Sequence, residues 1–130
     1  MKIKRPRYEL NLTRCTSILH ECKDPYNGAG IYALVDNYGK KYIGQAKHIQ
    51  DRIKVHRINM NKIFLTNCIH GENDKIHEAI MAGKTFDVEI LEKIPQEKAT
   101  RRYLDEREKY YYCQYGGIDN LYNFAPLTNM

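Results

Sequence analysis

From Gly30 onward, apolar and polar positions follow a few clear rhythms. Ile31 to Val35 and Lys41 to Gln45 are short strand-like runs around DNYGK, whose Asp-Asn and Gly are turn formers, and together they predict a β-hairpin. The period then lengthens: from about Lys47 to Asn59, Ile49, Ile53 and His56 or Arg57 fall at helical spacing. A second helix is expected over Asp74 to Met81, with Gly83 as its stop. In TFDVEIL, Phe86, Val88 and Ile90 alternate with Thr85, Asp87 and Glu89, the pattern of a strand with one buried face. Pro95 suits the first turn of a long helix that runs to about Tyr115 and ends at Gly116-Gly117. Upstream, Cys15, Ile18, Leu19 and Cys22 lie at i, i+3, i+4 and i+7, the apolar stripe of a short helix. The order of elements suggests an α+β domain, a small sheet packed by helices. Residues 1–29 are read as a basic N-terminal extension packed on or preceding the domain proper, which covers 30–130.

Charge sharpens this picture. The chain has 130 residues, enough for one compact domain and too few for two, and its net charge of +5 is unevenly spread. Residues 1–57 hold twelve Lys/Arg against five Asp/Glu, while 58–130 hold nine against eleven. A basic first half points to an anionic partner, and to nucleic acid before membrane, because no lysine-rich amphipathic segment or lipidation signal accompanies it. No apolar run approaches a membrane-spanning length, and MKIKRPRYELNL is too polar for a secretory leader, so a cytoplasmic protein is expected. Cys15, Cys22, Cys68 and Cys113 then read as free thiols. A zinc cluster of Cys15, His20, Cys22, Cys68 and His70 is the alternative, but the C-x-x-C spacing is missing. Eleven tyrosines against three phenylalanines, four of them between 110 and 115, imply a partly wet aromatic surface.

Alternation across a strand puts Gly30, Tyr32 and Leu34 on one face, and Tyr42 and Gly44 on one face of the partner. If even positions pair with even, the two tyrosines stand side by side, and the glycines leave room for something to approach the backbone. Arg52 and His56 are i and i+4 on the following helix and point the same way. On the last helix, Glu108 sits in a stripe of Leu104, Tyr111, Tyr112 and Tyr115. A carboxylate so placed needs a partner, and a tyrosine, an arginine or a divalent metal would each serve.

Gly30-Ile31-Tyr32 and Tyr42-Ile43-Gly44, ten residues apart, resemble the two elements that name the GIY-YIG endonuclease family. The resemblance continues through Arg52 and His56, ten and fourteen residues after Tyr42, and through ILEKIPQEK, EREKYYY and YNFA, which look like the phage and intron homing nuclease branch. It implies a three-stranded antiparallel sheet flanked by helices and hydrolysis of DNA phosphodiesters. It also implies catalytic roles for Tyr32, Tyr42, Arg52, His56 and Asn123, and one Mg²⁺ (or Mn²⁺) held by Glu108. On this reading Tyr32 activates water, assisted by His56 or Lys40, while Tyr42 orients water or phosphate, although the two roles could be exchanged. Arg52 grips the phosphate, and Asn123 holds the glutamate or the backbone around it. Lys40, Lys41, Lys47, Lys54 and Arg57 are the expected phosphate contacts on DNA, with the arm Lys2, Lys4, Arg5 and Arg7 as a further candidate. One site cuts one strand, so a double-strand break needs a homodimer or two successive nicks. The alternative is a non-catalytic DNA-binding module of the same fold.

Overall fold

The computed structural model describes residues 18–68 and 71–124. The arm of Lys2, Lys4, Arg5 and Arg7, together with Cys15 and His70, lies outside them. Strand β1 (Ala29–Asp36) is the centre of a three-stranded sheet, paired antiparallel with β2 (Lys41–Ala46) on one side and β3 (Phe86–Ile94) on the other. Helices α1 (Ile49–Thr66) and α2 (Asp74–Met81) lie between β2 and β3 in the chain. After β3 come a 3-10 turn (Gln96–Lys98), α3 (Arg101–Gln114) and a second 3-10 turn (Ile118–Asn120). With both edges paired and both faces covered, β1 is buried almost throughout. Its Tyr32 and Leu34 face a core built with Ile53, Met60 and Ile63 of α1 and Ile76 and Ile80 of α2. Ala29, Ile31 and Ala33 face a second core with Ile43, Ile94 and Leu104. The hairpin turns where expected: Asp36 accepts the backbone N–H groups of Tyr38 and Lys40, and Gly39 takes a φ of 94° that a side chain would oppose.

Four expectations change. The first helix runs on to Thr66, seven residues beyond Asn59, because Met60 and Ile63 extend the buried stripe of Ile49, Ile53 and His56. It stops at Asn67, left-handed at φ 57°, whose N–H bonds to the Ile63 carbonyl. The long helix from Pro95 is broken: Pro95 opens only the 3-10 turn, and the Thr100 side chain caps α3 by accepting the Tyr103 N–H. On β3 the alternation holds to Ile90, and then a bulge opposite the step from Ile31 to Tyr32 inserts Leu91. The inserted residue reverses the phase, so Leu91 and Ile94 join the α3-side core and the strand continues to Ile94. Lastly, the described half of the expected Cys15–Cys22 helix is not helical. Phe86 N–H bonds to Ile18 O and His20 N–H to Phe86 O, so this segment satisfies the free edge of β3 instead.

The segment after α3 returns along the other edge. Tyr122 N–H bonds to Lys41 O, and the Asn123 amide pairs with both the N–H and the C=O of Ile43, completing the edge of β2 that no strand among the described residues covers. No helix among the described residues is long and apolar enough to cross a membrane.

Candidate active site

The β1–β2 register pairs Tyr32 with Gly44 and Leu34 with Tyr42, so even positions do face even ones. The two tyrosines share a face on a diagonal rather than directly opposite each other. Nor do the glycines hold space for an incoming group. A Cβ on Gly44 would fall on the Tyr32 phenol, and one on Gly30 would fall on the Glu92 carbonyl beside the β3 bulge. Gly44 is therefore small so that the Tyr32 ring can cross the sheet toward α1.

On α1 the ring meets His56, and the Tyr32 hydroxyl lies 2.7 Å from His56 Nε2. Although it sits at a polar-looking position, His56 is 1% exposed and belongs to the buried stripe of its helix. The Tyr42 ring abuts the same imidazole edge-on, with centroids 5.7 Å apart. Arg52, one turn earlier, is exposed, and its charge acts on both phenols, Tyr32 and Tyr42. Burial pushes the Tyr32 phenol far above the usual tyrosine range; the neighbouring Tyr42 adds to this, and Arg52 offsets only part of it. Burial likewise raises Tyr42. Lys40, the other expected assistant of Tyr32, is absent from this group: its ammonium sits over the Tyr122 ring, 4.7 Å from the centroid.

Across the edge of β2, an open cleft of about 1070 Å³ runs between α1 and α3. Tyr42, Arg52, Glu108 and Asn123 all line it, although they come from four separate parts of the fold. Glu108 accepts from Gln45 Nε2 at 2.8 Å, and the same amide nitrogen donates to Asp105 at 2.6 Å, so the two carboxylates are close enough to share one donor. Burial lifts the Glu108 carboxyl above its ordinary value, Asp105 adds to the rise, and hydrogen bonds from Gln45 and Tyr112 pull it partly back. Among the described residues Glu108 makes no ion pair, and no third His, Cys, Asp or Glu joins it and Asp105, so a hard cation held here would take most of its ligands from water. Asn123 does not hold the glutamate. It is pinned to Ile43, between Tyr42 and Gly44, and meets Glu108 only through Tyr112, whose hydroxyl is 3.5 Å from Asn123 Nδ2.

The expected phosphate contacts divide. Lys47 lines the cleft and Lys54 is exposed on α1. Arg57 donates instead to the carbonyls of Leu19 and His20, tying the N-terminal segment to α1, and Lys41 lies over the Tyr115 ring. Arg101 and Lys109 of α3 line the cleft and were not singled out by the sequence reading. Also missed were Gln45, Asp105 and, on the buried side of His56, Glu72. Helical spacing could have found Asp105, three residues before Glu108 on the same face. Tyr111 looks away from the cleft and bonds to Glu92, which Arg107 grips through both carboxylate oxygens.

The profile of the GIY-YIG catalytic domain matches residues 28–123. The solved catalytic domain of the homing endonuclease I-TevI superposes with a TM-score of 0.62 at 26% identity, over 75% of this chain and 99% of that one. No curated protein sequence matches the chain. With the three-stranded sheet and the Tyr32 and Tyr42 diagonal within the matched span, together with Arg52, Glu108 and Asn123 of the cleft, the chain belongs to the GIY-YIG family of endonucleases.

Proposed function

We propose that this nuclease hydrolyses DNA phosphodiesters in the cleft between α1 and α3, with Tyr32 as the group that takes the proton from the attacking water. The observation that carries this reading is the meeting of Tyr42, Arg52 and Glu108 around one cleft, with the Tyr32–His56 pair directly behind. The water oxygen forms a bond to phosphorus as the bond from phosphorus to the 3′ oxygen breaks, in line. Tyr32 is too deeply buried to stand ready as a phenolate. It acts as a relay: its hydroxyl receives the proton of water while its own proton moves to His56 Nε2. This geometry also favours His56 over Lys40 as the assistant, since only His56 is bonded to the phenol.

Arg52, planar and permanently charged, binds two phosphate oxygens as their charge grows in the transition state. Tyr42, partly exposed to the cleft, orients the water or the phosphate. Glu108, with Asp105 beside it, would hold the Mg²⁺ or Mn²⁺, and a hard cation there would supply positive charge to offset the negative charge that develops on the leaving oxygen. Asn123 keeps the Tyr42–Gly44 backbone in place. Lys47, Lys54, Arg101 and Lys109 bind the flanking phosphates. A double-strand break would need a second copy or a second engagement.

Plasmid nicking with Mg²⁺ tests the assignment. Arg52→Ala, Glu108→Ala and Tyr32→Phe are each expected to lose about 10²- to 10³-fold in rate, the usual loss when one transition-state contact is removed. Arg52→Ala or Glu108→Ala cutting at the wild-type rate removes the clamp or the cation site. A fully active Tyr32→Phe moves the proton-accepting role to Tyr42.

A further inference from the structure

The strongest unassigned feature lies behind the cleft. Glu72 comes from the loop between α1 and α2 and is 8% exposed, yet it carries a carboxylate. Both its oxygens lie within hydrogen-bond distance of His56 Nδ1, at 3.0 and 2.9 Å. Its orientation is set from two sides. Asn59, one turn beyond His56 on α1, donates its amide to Glu72 Oε2 at 3.2 Å, and Asn73, the next residue in the chain, is fixed as the cap of α2 and donates to Tyr122 O. Gly71, with φ 76°, makes the approach feasible, because a Cβ there would strike the Asn59 amide.

An ionised carboxylate can only accept. Facing Nδ1 with both oxygens, Glu72 requires the proton of the imidazole to sit on Nδ1, and this leaves the Nε2 lone pair for the Tyr32 hydroxyl. We propose that Glu72 is a positioning residue of the nuclease: it holds His56 in the Nδ1-protonated form so that Nε2 can receive the Tyr32 proton, and it stabilises the imidazolium that then forms. The inference rests on the relay described above and extends it by one residue. In the cleavage step one proton passes from water to the Tyr32 oxygen and another from that oxygen to Nε2, while the departing 3′ oxygen takes a proton from solvent in the open cleft; the imidazolium then returns its proton through Tyr32 to solvent, and none passes to Glu72, whose negative charge balances the transient positive one. The logic is that of a serine hydrolase triad, with a phenol in place of the serine and a water beyond it.

The test uses the full chain. In ¹⁵N-resolved NMR of the wild type, His56 is expected to show a protonated Nδ1 and an unprotonated Nε2, and Glu72→Gln, whose amide can donate or accept, should mix the two forms. The same variant should lose 10²-fold or more in single-turnover cleavage while its Kd for a short duplex, measured in EDTA, stays within about threefold, since Glu72 does not line the cleft. The double variant Tyr32→Phe/Glu72→Gln should be no slower than Tyr32→Phe, because Glu72 acts through that hydroxyl; a merely structural carboxylate would add its own loss. A wild-type His56 protonated on Nε2 overturns the proposal without any variant having to fold. So does a Glu72→Gln enzyme that cuts near the wild-type rate while Tyr32→Phe is dead, and in that case the relay itself survives. If Tyr32→Phe is fully active, the relay falls and this inference falls with it.

Discussion

A single carboxyl shows how the site sets function against stability. Glu108 is raised above its ordinary 4.5, chiefly because burial strips water from the anion. For an acid raised in the folded state, the favourable contribution is complete below the unfolded value and is lost as pH climbs through the folded one. At neutral pH without metal, Glu108 therefore weakens the fold. Glu108→Gln should raise the Tm by about 3–5 °C at pH 7.5 in EDTA, a shift of the size that roughly 1 kcal/mol produces in a domain of this length, while abolishing nicking. Near pH 3, well below the unfolded value and with the acid protonated in both states, calorimetry should find the gain gone. An unchanged Tm at pH 7.5 would mean that Gln45 and Tyr112 already satisfy the anion. The residue types of this site were largely readable in advance, because a tyrosine pair, an Arg/His pair one turn apart and an acid in an aromatic stripe are each local patterns. Glu72 was not readable, since GEND between two helices looks like any solvated loop and nothing in its spacing points toward His56.

At the scale of elements, the glycines and the bulge matter more than the strands themselves. Alternation predicted the three strands correctly, yet it could not locate Leu91, because one inserted residue leaves both flanking stretches looking regular. The bulge brings the Glu92 carbonyl against Gly30, and Gly44 brings the Tyr32 ring to α1. Gly44→Ala is expected to cost about 1–3 kcal/mol in urea unfolding, the usual range for overpacking, and to stop nicking by moving the phenol off His56. Gly30→Ala should lower the urea midpoint further, since its clash is with backbone, which cannot rotate away as a side chain can. A Gly44→Ala protein with wild-type midpoint and rate would show that the ring finds another path. Helix ends were harder to read than helix faces: Asn67 ends α1 by adopting a left-handed conformation, and Thr100 starts α3 by capping it, so each boundary was set by a local bond.

The whole molecule is closed by the segment that follows α3. Tyr122 donates to the Asp36 carboxylate beneath the hairpin turn, and Asn123 pairs with Ile43. Burial pushes Asp36 up, but the Tyr122 hydroxyl, the N–H groups of Tyr38 and Lys40, and the Lys84 ammonium outweigh it and hold the carboxyl below its ordinary 3.8. A depressed acid stabilises the fold above its unfolded value, and that stability is lost as pH falls through the folded one. Asp36→Asn should therefore cost about 1–3 kcal/mol at pH 7, the range for leaving buried donors poorly paired. Denaturant titrations should show this gap shrinking toward pH 3. Because the same segment clamps β2, hydrogen exchange at the Ile43 N–H should quicken in the variant; equal exchange in both proteins would uncouple the segment from the cleft.

From Gly30 onward the chain alone determined the order of the strands and main helices, the face each buries up to the β3 bulge, and the chemical types at the site, because these depend on periodicity and on side chains a few residues apart. Only the folded molecule decided that Arg57, Lys40 and Lys41 are held in structural contacts, that Arg101 and Lys109 reach the cleft, and that Glu72 stands behind His56. The reason is physical. A buried charge finds its partner through the packing of distant elements, where desolvation makes an unmatched group costly, and sequence spacing carries no record of that distance.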